Sequence, residues 1–280
     1  MKFVQKHLLH LLDRSLFIRL LLALSLAYLT LFMVGQIEAI HQRSACWTTA
    51  PFLPCLLYAL TDLIALENVE GFSIVVVAIT YLIESRDRRR KKHYEAWQVI
   101  DNAAAAKVPT SNARLQALQD LNEDGIALQG LDMPKADLRR IQLPGADLRE
   151  VTLSGADLRG ASLRGANLEL AHLNHTNLEE VDLSGANLQG VNLTGANLNR
   201  ANLQGASLIC AKLSKATLEG ADLRKAVLIG ANLAAANLRT ADLRQANLTD
   251  AKLRESDFKS ADFKDAQLAG VTMPDGSVCE

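Results

Sequence analysis

The chain has 280 residues, is 49% hydrophobic but only 5% aromatic, and carries a formal net charge of −1. That composition is neither disordered nor collagen-like, requires a core of small aliphatic side chains, and excludes a whole-chain nucleic-acid footprint. The four cysteines, Cys46, Cys55, Cys210 and Cys279, form no C-x-x-C pair, and no histidine cluster completes a zinc site.

Residues 1–85 read as a membrane anchor. The uncharged run 20–37 (LLLALSLAYLTLFMVGQI) is long enough to cross a hydrocarbon core of about 30 Å, with Arg19 at its inner end. No small-x-small cleavage site follows it, which favours an uncleaved anchor over a signal peptide. A second run, 71–83 (GFSIVVVAITYLI), reaches spanning length only if extended back to about Ile64, past Glu67 and Glu70. The stretch 51–66 contains Pro51, Pro54 and Asp62 and is expected to be re-entrant or interfacial, with a third span as the alternative.

Charge sets the expected orientation. Lys2, Lys6, Arg14 and Arg19 precede the first run, Arg86 to Lys92 follow the second, and only Arg43 lies between. The positive-inside rule then predicts a two-pass integral membrane protein in contact with the lipid bilayer, with both termini and everything after residue 86 cytoplasmic. The loop would face the other compartment, where a Cys46–Cys55 disulfide is one option and free thiols the other.

Residues 86–125 form a basic cluster followed by helical linker sequence. In HYEAWQVIDNAAAA (93–106), Tyr94, Trp97 and Ile100 recur at i, i+3 and i+6, and Pro109 is expected to stop the helix. Thr110 or Ser111 is the N-cap of a second short helix with Leu115, Leu118 and Leu121 on one face, and Gly125 is its stop. Such a helix would cover the open end of a repeat array.

From Ile126 to Asp275 a five-residue phase runs unbroken through thirty units. Its fixed position is Leu in twenty-six units, with Met133, Phe258, Phe263 and Met273 in the rest. Ala stands two places earlier in twenty-one, and Asp or Asn stands between them in eighteen. Five residues on an α-helix turn a side chain through about 140° beyond a full turn, which smears the leucines around the axis. On a straight strand an odd period alternates faces. The pattern fits a short extended piece followed by a corner, with Ala and Leu inward and the residue between them outward. If each corner turns the chain about 90°, four such sides rather than three make a twenty-residue coil, and 30/4 gives seven and a half coils, roughly 36 Å tall at the strand spacing. Residues 276–280 remain as a tail.

Tandem A(D/N)LXX units such as Ala156-Asp157-Leu158 resemble the pentapeptide-repeat family. The resemblance implies an all-β solenoid, a right-handed quadrilateral β-helix, here preceded by an α-helical transmembrane anchor and a short capping helix.

The family includes acidic members that mimic DNA and protect topoisomerases, but eighteen acidic and seventeen basic residues in 126–275 leave −1, too little to replace phosphates. An interior filled by Leu and Ala leaves no cavity for catalysis, and no cofactor, metal or catalytic set is expected. His172 and His175 read as surface substitutions. The outward Asp and Asn are expected to bond neighbouring backbone and coils. Two columns of the twenty-residue frame depart from polar filler: Ile209 and Ile229 with Val227, Cys210, Ala234 and Ala235, and Arg164, Arg224, Arg244 and Lys264. Both are candidate interaction surfaces beside the blander reading of solvated faces. The expected function is a membrane-tethered, non-enzymatic scaffold that binds an unknown protein partner or another copy of itself. The alternative is a regulatory domain of a small oligomeric channel or transporter.

Overall fold

A computed structural model describes residues 77, 80, 81, 88–103 and 110–279. The chain divides into two compact units, Met1–Lys92 and His93–Glu280. In the first, residues 88–92 are helical, and the Arg88 guanidinium lies 4.7 Å from the centre of the Tyr81 ring.

The expected two-pass membrane topology is corrected here. Among the described residues no helix is long and apolar enough to cross a membrane. Of the second run, 71–83 with its extension back to about Ile64, only residues 77, 80 and 81 are described, and the described helical residues 88–92 are all basic. Residues 20–37 and 51–66, together with Cys46, Cys55, Glu67 and Glu70, lie outside the described residues.

The second unit begins with helix α1 (93–103). Its buried side differs from the expected one: Ile100 is buried, Ala96, Trp97 and Val99 pack partly against the same cluster, and Tyr94 is 64% exposed. Tyr94 instead accepts a hydrogen bond on its hydroxyl from Gln98 Nε2 at 3.1 Å. The packed set spans two adjacent turns as i, i+1, i+3 and i+4, a stripe wide enough to exclude Tyr94.

Helix α2 (Asn112–Glu123) has Ser111 as its N-cap, the Oγ accepting from Arg114 N at 3.2 Å. Leu118 and Leu121 are fully buried and Leu115 partly so. At the other end Gly125 N donates to Asn122 O and Ile126 N to Leu121 O, both at 2.9 Å, a Schellman closure. Gly125 sits at φ +69°, the left-handed conformation that this closure needs. His93 Nε2 lies 2.9 Å from Asp124 Oδ2 and ties α1 to the end of α2.

After Gly125 the chain winds as a four-sided parallel coil. Parallel bridges join residues twenty apart, from Asp132–Thr152 through to Lys252–Thr272, so four units close each coil. A unit between two coils hydrogen-bonds to both; Asp157 N donates to Ala136 O at 2.9 Å and Leu158 N to Asn177 O at 2.7 Å. The sides are numbered by their inward leucines: side 1 carries Leu208 and Leu228, side 2 Leu213 and Leu233, side 3 Leu198 and Leu218, and side 4 Leu203 and Leu223. Inward Leu and Ala are buried almost without remainder, as at Leu198 and Ala201, both 0% exposed. Thr176 takes an alanine place and satisfies its buried hydroxyl by donating to Leu153 O at 2.9 Å.

Each side ends in a four-residue turn closed by a bond such as Ala156 N to Leu153 O, 3.0 Å. The last residue of each unit takes positive φ, from Gly130 through Gly270, matching the third position of a type II turn. Seventeen of these corner residues are not glycine, among them Lys135, Leu170, His175 and Ala235. Each such corner costs about 1–2 kcal/mol of left-handed backbone strain, which the bonds between coils must offset.

Two outcomes follow for stability. Leu198→Ala is expected to lower the unfolding free energy by about 2–5 kcal/mol, because the inward shell has no slack to collapse. Ala235→Gly, at φ 57°, is expected to raise it by about 0.5–1 kcal/mol, the strain relieved less the added chain entropy of glycine. Urea denaturation with circular dichroism measures both, and a lower midpoint for Ala235→Gly would contradict the strain assignment.

Candidate interaction surface

Three places in each unit face outward: the residue between Ala and Leu, the one after Leu, and the corner. The first lies two residues from the second along an extended piece, so their side chains share a surface. Where the first is Asp or Asn and no proline stands two places on, its Oδ1 accepts the backbone N–H two residues on, as in Asn167 with Glu169 N and Asn197 with Asn199 N. Asparagines also bond between coils: Asn187 Nδ2 donates to Asn167 Oδ1 at 3.0 Å, and Asn197 Nδ2 to Asn177 Oδ1 at 3.1 Å. The acidic and amide residues therefore stitch the backbone, as expected.

Sequence reasoning missed what Asp does when Arg follows two places later. Each Asp-Leu-Arg tripeptide makes a two-pronged ion pair: Arg139 with Asp137, Arg149 with Asp147, Arg159 with Asp157, Arg224 with Asp222, and Arg244 with Asp242. In the last of these Arg244 Nε and Nη2 donate to the two carboxylate oxygens at 2.8 and 2.6 Å. The signal was the tripeptide itself, since i and i+2 on an extended piece point the same way. These arginines hold the five carboxyls below the usual carboxylate range, chiefly by side-chain hydrogen bonding.

This pairing changes the meaning of the basic column. Arg164, Arg224, Arg244 and Lys264 do align on side 4, but Arg224 and Arg244 are bound to Asp222 and Asp242. They also lean towards Asp242 and Asp262 of the next coil, at 3.7 Å in each case. The column is a ladder of alternating sign. Arg164, with Ser162 in the carboxylate's place, stands exposed outside it.

Side 1 carries the other column. Val227 bridges to Ser207, and Ile209 and Ile229 follow their leucines in consecutive coils, all three partly buried. The Cys210 thiol is free and rests near Gly230, where an added Cβ would lie 3.5 Å from Sγ. Leu170, 53% exposed, extends the apolar character along the same side and lies over Gly190, where an added Cβ would meet its Cδ2 at 2.8 Å. Asn187, Gln189, Asn247 and Thr249 flank the isoleucines, and in five consecutive coils of side 1, from 186–190 to 266–270, neither residue next to the inward Leu is charged. Ala234 and Ala235 adjoin on side 2. The structure thus gathers Ile209, Val227 and Ile229 on one face and separates them from the side 4 column.

His172 and His175 are exposed, and the His175 ring lies against Gly195. Among the described residues no group of His, Cys, Asp or Glu could hold a metal ion. A polar cleft of about 640 Å³ lies between the start of α2 and side 3, bounded by Ser111, Asn112, Arg139, Arg140, Arg159 and Glu180. Two of its three arginines are already committed to Asp137 and Asp157.

The family model described as pentapeptide repeats matches the sequence over 125–160, 153–190, 166–205, 186–224, 206–245 and 236–273, with eight copies. No curated protein sequence matches the chain. Among solved structures, the chain is similar to HetL, a pentapeptide repeat protein involved in heterocyst differentiation regulation from the cyanobacterium Nostoc. The two share 30% identity over 59% of this chain and 98% of HetL, with a TM-score of 0.34. A pentapeptide repeat protein of the Arabidopsis thaliana thylakoid lumen is 31% identical over 37% of this chain and 69% of its own, with a TM-score of 0.24. QnrB1, a plasmid-mediated fluoroquinolone resistance protein, is 20% identical over 51% and 84%, with a TM-score of 0.36.

The Asp–Arg pairs set a pH dependence. Their carboxyls titrate lower in the folded chain than in the unfolded one, so the unfolded state binds more protons as the pH falls. Their contribution is complete above about pH 4 and is lost as the pH drops through the depressed folded values. Asp222→Asn with Asp242→Asn is expected to lower the melting temperature at pH 7 and to flatten its fall below pH 4. Thermal melts from pH 7 to pH 2 check this, and an unchanged acid slope would refute it.

Proposed function

The chain belongs to the pentapeptide repeat family, and on that premise we propose that its rod is a non-enzymatic scaffold that binds another protein along side 1. The family fold is the right-handed quadrilateral β-helix, and here its interior is filled by the rod's own Leu and Ala. Chemistry and recognition are left to the outward residues.

The observation that carries the proposal is the interruption on side 1. Over much of the rest of the rod the outward positions carry Asn stitches or Asp–Arg pairs that answer one another within the rod. At Ile209, Val227 and Ile229 the surface is apolar and uncharged, flanked by neutral amides and hydroxyls. Depletion of charge around an apolar centre with a polar rim is the pattern of a protein–protein contact. The rigid backbone fixes these side chains before binding, which limits the ordering cost that association incurs.

Ile209→Asp with Ile229→Asp is expected to leave the β-helix circular dichroism spectrum intact, because both side chains point outward. The same pair of changes should abolish recovery of neighbours cross-linked through a photoreactive residue at position 207. Recovery of the same neighbours at undiminished yield from the double variant would remove side 1 from consideration.

A further inference from the structure

Side 2 carries lysines that no carboxylate of the rod answers. Between Asp132 and Glu255 its outward places hold His172, His175, Lys212, Lys215, Lys252 and Arg254, and no acid. Lys212, Lys215 and Lys252 are exposed, and among the described residues they enter no ion pair. Arg254 Nε lies 3.9 Å from Glu255 Oε1, an exposed pair at the last of these coils. The outward places that adjoin Lys212 and Lys215 across the two corners are neutral, Ile209 and Cys210 from side 1 and Thr217 on side 3.

The same side leaves hydrogen-bond donors over. Parallel bridges align Thr152, His172, Asn192, Lys212, Asn232 and Lys252 in one column. Asn192 and Asn232 use Oδ1 to accept Thr194 N at 3.2 Å and Ala234 N at 3.1 Å. On sides 1 and 3 such asparagines also bond to each other, Asn187 to Asn167 and Asn197 to Asn177. On side 2 Lys212 stands between the two, and among the described residues neither Nδ2 group meets an acceptor. From Asn192 to Lys252 the unanswered groups of the column are amide and ammonium N–H donors.

Beside that column runs a shallow trough. The residue after each inward Leu is short from Ser154 through Asn174, Thr194 and Ser214 to Ala234, and all five are partly buried. The same place on the other sides holds Gln, Glu, Ile, Arg or Lys in most coils. His172 and His175 stand on either side of Asn174, Lys212 and Lys215 on either side of Ser214, and Lys252 and Arg254 close the end. These rows recur two coils apart, about 9.6 Å at the strand spacing. An extended polyproline II segment rises about 3.1 Å per residue, so its residues three apart lie about 9.3 Å apart on one face. Acidic residues at that interval meet successive rows, while the segment's carbonyls, which bond to nothing internally, face the Asn192 and Asn232 amides between. A nucleic acid fits less well. Side 2 has no Phe, Tyr or Trp to stack a base, and side 1 beside it carries four acids against one arginine.

We propose that the side 2 trough binds an extended acidic segment of a partner protein, its carboxylates three residues apart and paired with Lys212, Lys215 and Lys252. The site lies one corner from Ile209 but does not depend on the side 1 reading, because it recognises charge and acceptors where side 1 offers apolar contact.

Fluorescence anisotropy with the full chain tests it against three labelled probes. These are the peptide (Glu-Pro-Pro)4, a block isomer of the same composition with its Glu residues contiguous, and a single-stranded DNA of equal length. The spaced peptide is expected to bind about fivefold or more tighter than either of the others. Lys212→Glu with Lys215→Glu is expected to weaken it about tenfold or more, the charge attraction being turned to repulsion. Circular dichroism is expected to show the β-helix intact in that variant, since position 212 is exposed and Glu already holds positive-φ corners at 150, 180 and 255. Four results each overturn the proposal: no binding of the spaced peptide, equal binding of its block isomer, indifference to the charge reversal, or DNA bound as tightly. Cross-linking at position 207 reads side 1 without any of these probes, so the two readings fail separately.

Discussion

The twenty-residue register between coils is the constraint on which everything else rests. Parallel bonding from one coil to the next requires each coil to return above itself after four sides, and each return requires four corners. Each corner requires a residue at positive φ, and seventeen of those places are held by residues that resist it. The strain is tolerated because a corner that failed to turn would break the bonds of its own side and throw the next side out of register. The same closure sets the width of the interior, which admits one Leu and one small residue from each side. Alanine is needed for its size, and Thr176 is admitted because its hydroxyl finds a carbonyl.

That constraint explains what could be read from sequence. The period of five, incompatible with helix or straight strand, fixed inward and outward positions, and Ser111 and Gly125 marked the limits of α2 because caps are local chemistry. Other features are relations between places far apart in the chain. Tyr94 fits an i, i+3, i+6 stripe, yet the packed stripe passes through Ala96, Val99 and Ile100, which only the surface beneath α1 decides. The Asp-Leu-Arg pairs were within reach, since i and i+2 share a surface, but attention to columns hid the pairing within rows. What looks like a basic column in the sequence is a ladder of alternating charges.

Hydropathy misled in a different way. A run of apolar residues states what must leave water and does not state where it goes. The thirteen residues at 71–83 are short for a bilayer, and Glu67 and Glu70 stand where the extension would lie. The described part of the molecule offers no helix of spanning length and character. Length, more than mean hydropathy, is the stricter condition on a span.

The outward pattern then separates two kinds of surface on one scaffold. Where Asn or a paired Asp and Arg occupy the outer places, they bond within the rod, to backbone two residues on, to each other or to the adjacent coil. A partner docking there would have to displace bonds already made, or desolvate charges whose partners lie in the same coil, and gains little from either. Where Ile209, Val227 and Ile229 replace them, there is nothing to displace except water over apolar side chains. Much of the charged surface is thus answered within the rod, and side 1 is distinguished by outer places that carry apolar side chains and no charge.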